Sequence, residues 1–402
     1  MARILLLLPT ATYRAPDFLA AAAHLGVDVV VASERRQALA DSMGDRAVVV
    51  PLADVGRAVE VITALHERSP LDAVLAVDDQ GVAVAAAACA ALGMRHNPSS
   101  AVAASRDKTL MRELFRRARL AQPAFAVVAP EGDVVAAADA VGYPCVVKPV
   151  SRAASQGVIR ANDPDEAATA GQRIRAILDG ARENLLVEAF VPGDEVAVEG
   201  LLSAGRLEVL AVFDKPDPLN GPFFEETIYV TPSRHPAAIL RELERLASGA
   251  ATALGLVEGP VHVEFRVGPD GAVTILELAA RSIGGLCARS LRFGAGFSLE
   301  EVIIRHALGL DLADLARETG ASGVMMLPIR ARGVLDEVRG QEQARAVEGV
   351  VGLEITIARG RPVVPLPEGE RYLGFIFARG SSPEEVEHSL RRAEASLEVR
   401  VR

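Results

Sequence analysis

Four short apolar runs, Ile4–Leu8, Val27–Ala32, Ala47–Val50 and Ala73–Val77, alternate with helix-like segments near Ala15–Leu25, Ala53–Glu67 and Gly81–Leu92. This alternation specifies a small, parallel, doubly wound unit over residues 1–97. No GxGxxG follows the first run, which argues against a dinucleotide role. At Asn97-Pro98-Ser99-Ser100 the chain breaks and a helix starts. With 402 residues, two to four packed units are expected. The remaining boundaries fall at 98–187, 188–310 and 311–402. The last unit reads as α+β, with strands Leu353–Ile357 and Tyr372–Phe377 and a helix Pro383–Ala395.

Ile4–Leu8 is too short before Pro9 to be a secretory core. No stretch approaches the roughly 18 apolar residues of a spanning helix. Cys89, Cys145 and Cys287 show neither CxxC nor metal-like spacing and read as buried thiols of a reduced, cytoplasmic protein. A net charge of −10 with no offsetting basic stretch argues against nucleic acid as a partner.

Of the 43 basic residues only Lys108, Lys148 and Lys215 are lysine. A lysine is a compact point charge that reaches a single phosphate oxygen where the planar arginine fork does not fit. Lys148 ends the apolar run Cys145–Lys148. A small-residue loop follows, Ser151-Arg152-Ala153-Ala154-Ser155-Gln156-Gly157-Val158, able to fold its amides over phosphates.

The strongest local signal is a hairpin, Val261–Val267 and Ala272–Leu278 about a turn at Pro269-Asp270. Strict alternation pairs Val267 with Ala272, Glu264 with Ile275 and His262 with Glu277. It puts Val261, Val263, Phe265, Leu276 and Leu278 on an apolar face. His262, Glu264 and Glu277 share the other, the two carboxylates on a diagonal of about 7–8 Å. Magnesium would relieve their repulsion. The same face also suits a solvated hairpin balanced by Arg266 and Arg281. Arg281 stands four residues beyond Glu277 and is followed by Gly284 and Gly285, which suits charge stabilisation and close backbone approach.

As an ordered set these residues resemble the ATP-grasp superfamily over residues 1 to about 310. The resemblance implies a doubly wound N-terminal domain, a two-lobed α+β ATP-grasp domain and a small C-terminal domain, with ATP and two magnesium ions, for which manganese can substitute. It implies that Lys108, Lys148, Ser155 and Gly157 meet phosphates and that Lys215 lies near the terminal one as a catalytic group. The hinge Glu188, Phe190 and Val191 would meet adenine through its backbone, and Glu195 the ribose. Glu264 and Glu277 match the metal carboxylates, and Arg281 would steady the transition state. Two departures stand out: alanines in the phosphate loop, and Ala279 where many members place a metal-binding asparagine.

The form Glu277-Leu278-Ala279-Ala280-Arg281, with its trailing domain, is similar to the amino-acid ligase branch that makes dipeptides. The implied reaction joins a carboxylate to an amine through an acyl phosphate. A bicarbonate-using carboxylase and a nucleotide-binding protein without turnover are the alternatives. Glu226 would meet a substrate amine, and His262, Gly284 and Gly285 would line the substrate site. The Glu225-Glu226 pair equally suits a solvated edge. His24, His66, His96 and His235 show no partner at ligand spacing. The expected partners are small amino-acid substrates, with no membrane, and a homodimer is left open.

Overall fold

The structure is a computed structural model that describes residues 1–9, 12–36, 44–294, 296–312 and 314–402. Strands β1 (Arg3–Leu7), β2 (Asp28–Ser33), β3 (Ala47–Val49) and β4 (Ala73–Ala76) form a parallel sheet in the order β3-β2-β1-β4. Alternate residues of β1 serve two cores. Leu5 and Leu7 pack with Ile62, Val84 and Ala88 of the helices Val55–Arg68 and Asp79–Ala91. Ile4 and Leu6 face Phe18 of the helix Ala15–His24, together with Val302 and Ile303. A parallel strand covered on both faces must be apolar throughout, as the run in the sequence is.

A second sheet holds β5 (Phe125–Val128), β6 (Cys145–Pro149), β7 (Ile159–Ala161) and β8 (Leu185–Ala189) in the order β5-β8-β6-β7. The third and largest holds β9 (Asp194–Ser203), β10 (Arg206–Lys215), β11 (Ile228–Thr231), β12 (Gly259–Val267), β13 (Val273–Ala279) and β14 (Ala321–Leu327). It also takes in β16 (Val350–Ile355) and β18 (Gly374–Gly380), so strands beyond residue 311 continue the sheet of the second lobe. Every residue of β14 is buried, and the strand is paired on both edges, by β11 and β18. Among the described residues beyond 311, β15 (Gly333–Arg339), β17 (Pro362–Val363) and β19 (Glu398–Val401) form a separate sheet. The helix Ala237–Leu254 lays Leu243, Leu246 and Leu254 on the back of β12 and β13, each fully buried leucine contributing about 2 kcal/mol.

The hairpin departs from strict alternation. Glu264 pairs directly with Glu277, and Phe265 with Ile275, so Leu276 is an extra residue in a bulge. His262 accordingly faces Ala279. Ile275, not Leu276, joins the apolar core. The turn is also one residue longer than expected, pairing Val267 with Val273, and the bulge adds one more, so Glu264 moves from Ile275 to face Glu277 and the diagonal carboxylates become opposed.

Candidate active site

All three lysines are buried, at 8 %, 7 % and 5 % exposure for Lys108, Lys148 and Lys215. Each reaches a carboxylate. Asp107 caps the helix Lys108–Arg117 by accepting from the backbone N–H groups of Thr109 and Leu110. This cap points Lys108 and Arg112, four residues apart on one face, toward β8 and β13. Lys108 Nζ lies 3.2 Å from Glu277 Oε1 and donates at 2.7 Å to the carbonyl of Arg152 in the loop 151–158. Lys148 Nζ is 2.7 Å from Glu188 Oε2, and Arg112 donates to Glu188 Oε1 and to the Leu276 carbonyl.

Two cations therefore share one buried anion. Burial alone would raise the Glu188 carboxyl, but Arg112 and Lys148 outweigh it and hold it at about 2. Burial pushes the Lys148 ammonium down, and Arg112 beside it adds to that against the pull of Glu188. The Glu188 side chain is thus a brace for the lysine. Of the hinge backbone, the N–H groups of Ala189 and Phe190 go to the carbonyls of Ala124 and Pro144, leaving Val191 N–H without a partner among the described residues. The Phe190 ring lies beneath the Arg160 guanidinium at 4.2 Å.

Lys215 forms a second centre. Its ammonium is 2.7 Å from Glu195 and 2.9 Å from Glu264, also bonds Glu226, and lies 4.9 Å over the Tyr229 ring. One oxygen from each of these three carboxylates lies within 4.8 Å of the other two. Burial opposes the charge on Lys215, yet the three glutamates lift its pKa well above the ordinary value. Burial raises Glu226 to about 7 against the opposing pull of Lys215, and the Tyr229 hydroxyl donates to it at 2.9 Å. Glu195 is further held by Arg266 at 3.0 Å. Lys215 and Glu195 are thus engaged with each other, where the resemblance assigned them to a phosphate and a ribose.

Glu264 also meets His262 Nε2 at 3.3 Å, and His262 Nδ1 bonds Glu199. Burial would lower this imidazole, but Glu199 and then Glu264 raise it to about 9. The other Glu199 oxygen accepts the Ile283 N–H at 3.0 Å. Arg281 donates to Asp79 Oδ2 at 2.8 Å, and buried Arg14 donates to the Ser282 hydroxyl at 2.8 Å and to the Val77 carbonyl. The arginine loop is therefore held from the end of β4, the edge of a parallel sheet where ligands gather.

The two glycines differ. Gly284 faces open space, whereas a Cβ on Gly285 (φ +61°) would lie 2.8 Å from Phe375 Cε1. Phe375 fills the space beside Gly285, and Gly284 is the open position. Ser155 has φ +55°, and the Gly157 N–H is taken by the Pro367 carbonyl. His24 bonds Glu301, and His66 accepts the Leu71 N–H. His96 Nδ1 lies 2.8 Å from the Met94 carbonyl, and the His235 N–H donates to the Ser233 hydroxyl.

Arg112, Glu199, Asp79 and Arg14 were missed by the motif reading. Only Arg112 left a signal, through its four-residue spacing from Lys108. All three cysteines are free and buried, and among the described residues no helix is long and apolar enough to cross a membrane.

Comparison with known proteins shows what the chain is similar to. Residues 141–290 match the ATP-grasp domain, 19–96 the ATP-grasp N-terminal domain and 325–402 the L-amino acid ligase C-terminal domain 2. Alanine–anticapsin ligase of Bacillus subtilis is 25% identical over 266 residues, covering 61% of this chain and 56% of that protein. The chain thus spans little more than half the length of that curated relative. A D-alanine–D-alanine ligase of Geotalea uraniireducens is 31% identical over 215 residues, 51% of this chain and 66% of its own. The crystal structure of an L-amino acid ligase from Bacillus licheniformis superposes with a TM-score of 0.83 at 24% identity, covering 100% of this chain and 99% of that one.

Proposed function

We propose that this chain, an ATP-grasp protein by the domains it carries, is an ATP- and magnesium-dependent ligase that joins the carboxylate of one amino acid to the amine of another. The observation that carries the reading is the opposed pair Glu264 and Glu277, each carboxylate engaged by a buried lysine. Two oxygen-donor side chains directly across a ladder suit a hard dication, and Glu264 and Glu277 would hold it. Bound there, magnesium would neutralise charge on the terminal phosphates. The phosphate loop suits a nucleotide as well, since Arg152 Nε is buried with no hydrogen-bond partner.

A carboxylate oxygen of the donor attacks the terminal phosphorus of ATP, and the bond to the ADP oxygen breaks. The amine nitrogen then attacks the acyl phosphate carbon, phosphate leaves with the C–O electron pair, and the nitrogen gives up a proton. Lys108 and Lys148 orient phosphate oxygens, and Arg281, fixed by Asp79, offsets charge where the acyl phosphate forms. Positioning and charge supply most of such catalysis. Supplying amino acids singly and in pairs tests the reading: ADP and an amide product are expected only with a competent pair. ADP release indifferent to amino acids contradicts it.

Lys148→Arg keeps the charge and is expected to weaken ADP binding about tenfold or more by calorimetry, because a broad guanidinium cannot replace a point contact in the space beside Glu188 and Arg112. Gly284→Trp is expected to restrict the donor to small side chains while nucleotide affinity stays unchanged, read by mass spectrometry of amide products. An unaltered product range would show that the 281–285 loop does not line the pocket.

A further inference from the structure

The phosphate loop has a backbone that its own sequence disfavours. Ala154 and Ser155 sit consecutively at φ +53° and +55°, a left-handed region that costs a residue with a Cβ of order 1–2 kcal/mol. Glycine-rich loops reach it freely. Such a conformation persists only where surrounding contacts fix it.

Those contacts come from far along the chain. The Gly157 N–H donates to the Pro367 carbonyl at 2.9 Å, and the Gln156 side-chain amide donates to the Glu368 carbonyl at 2.9 Å. The Glu368 carboxylate clasps Arg173 of the helix Pro164–Ile177 in a fork, Nε at 2.7 Å and Nη2 at 3.2 Å. Arg173 in turn lies 4.9 Å from the Phe223 ring centroid, and Phe223 bridges to Ile159 just past the loop. On its other side the loop is tied by Lys108 to the Arg152 carbonyl and by Ser151 to Glu183 at 2.6 Å.

We infer that the C-terminal segment Pro365–Glu368 is a working part of the nucleotide site, with Glu368 a positioning residue that holds the alanine-containing phosphate loop in its covering conformation. The inference rests on the proposed reading of residues 151–158 as a phosphate cover. It explains how the loop does without the glycines many relatives carry: the C-terminal domain supplies from outside the constraint that the loop's sequence lacks.

The test uses the full chain and reads nucleotide binding directly, by calorimetry with magnesium and ADP, alongside the KM for ATP and kcat. Glu368→Ala combined with Gln156→Ala is expected to raise both the ADP Kd and the KM for ATP about five- to tenfold, as loss of one forked ion pair and one hydrogen bond implies, with kcat changed less than twofold. Arg173→Ala, cut from the other side, is expected to do the same. Adding Ala154→Gly to the first pair is expected to restore much of the binding, since glycine removes the left-handed penalty at that residue. Rescue of that kind would not follow if the C-terminal changes acted through general stability. Unchanged ADP affinity in the variants, or a loss that Ala154→Gly does not rescue, overturns the inference. A wild-type chain that binds no magnesium nucleotide overturns the functional reading instead.

Discussion

Glu277→Gln is expected to fold normally and to lose amide formation by about a hundred- to a thousandfold. The side chain is 30% exposed and meets Lys108 at 3.2 Å, so an amide of the same shape fits the site and costs little stability. What disappears is one of the two negative charges set opposite each other at Glu264 and Glu277. With only Glu264 left, and that carboxylate already held by Lys215 and His262, a dication loses its second protein ligand. Product formation against magnesium concentration, with a matched thermal melt, checks both halves. A near-normal rate would remove Glu277 from the metal site.

Glu188→Gln is expected to do the reverse, failing in stability before catalysis can be compared. Its carboxylate is the shared counter-ion of Arg112 and Lys148, all three buried. Removing one charge from a buried pair costs about 3–5 kcal/mol, because the partner is left unpaired, and here two partners are left. The pH dependence has a fixed sign. The folded carboxyl is held at about 2, below its ordinary 4.5. Its contribution is therefore fully present above 4.5 and lost as pH falls from there to about 2. Denaturant unfolding across that window should show a steep acid loss in the wild type and a shallower one in the variant. Equal profiles would show that the braced triad contributes nothing.

The parallel N-terminal unit was legible because a buried parallel strand is apolar on both faces, and β1 to β4 carry that pattern within a residue or two of their ends. The three lysines were legible because the chain otherwise uses arginine. Register at the Glu264–Glu277 pair was not. Alternation counts in twos, and the turn and the bulge at Leu276 each insert one residue that no pattern announces. The company kept by Lys215 was hidden for a topological reason. The sheet order β12-β9-β10 brings Glu195 and Glu264 to its ammonium from 20 and 49 residues away. Glu368 and Arg173 are 195 residues apart, and only the folded chain joins them.

Isotope transfer tests the central claim most directly. A competent amino-acid pair is supplied with the donor carboxylate labelled with oxygen-18, and the inorganic phosphate released is weighed by mass spectrometry. Attack of the carboxylate on the terminal phosphate, followed by amine displacement, leaves one carboxylate oxygen on phosphorus. One labelled oxygen per phosphate, in step with amide formed, is the predicted result. Phosphate released without label while amide accumulates would contradict an acyl phosphate ligase.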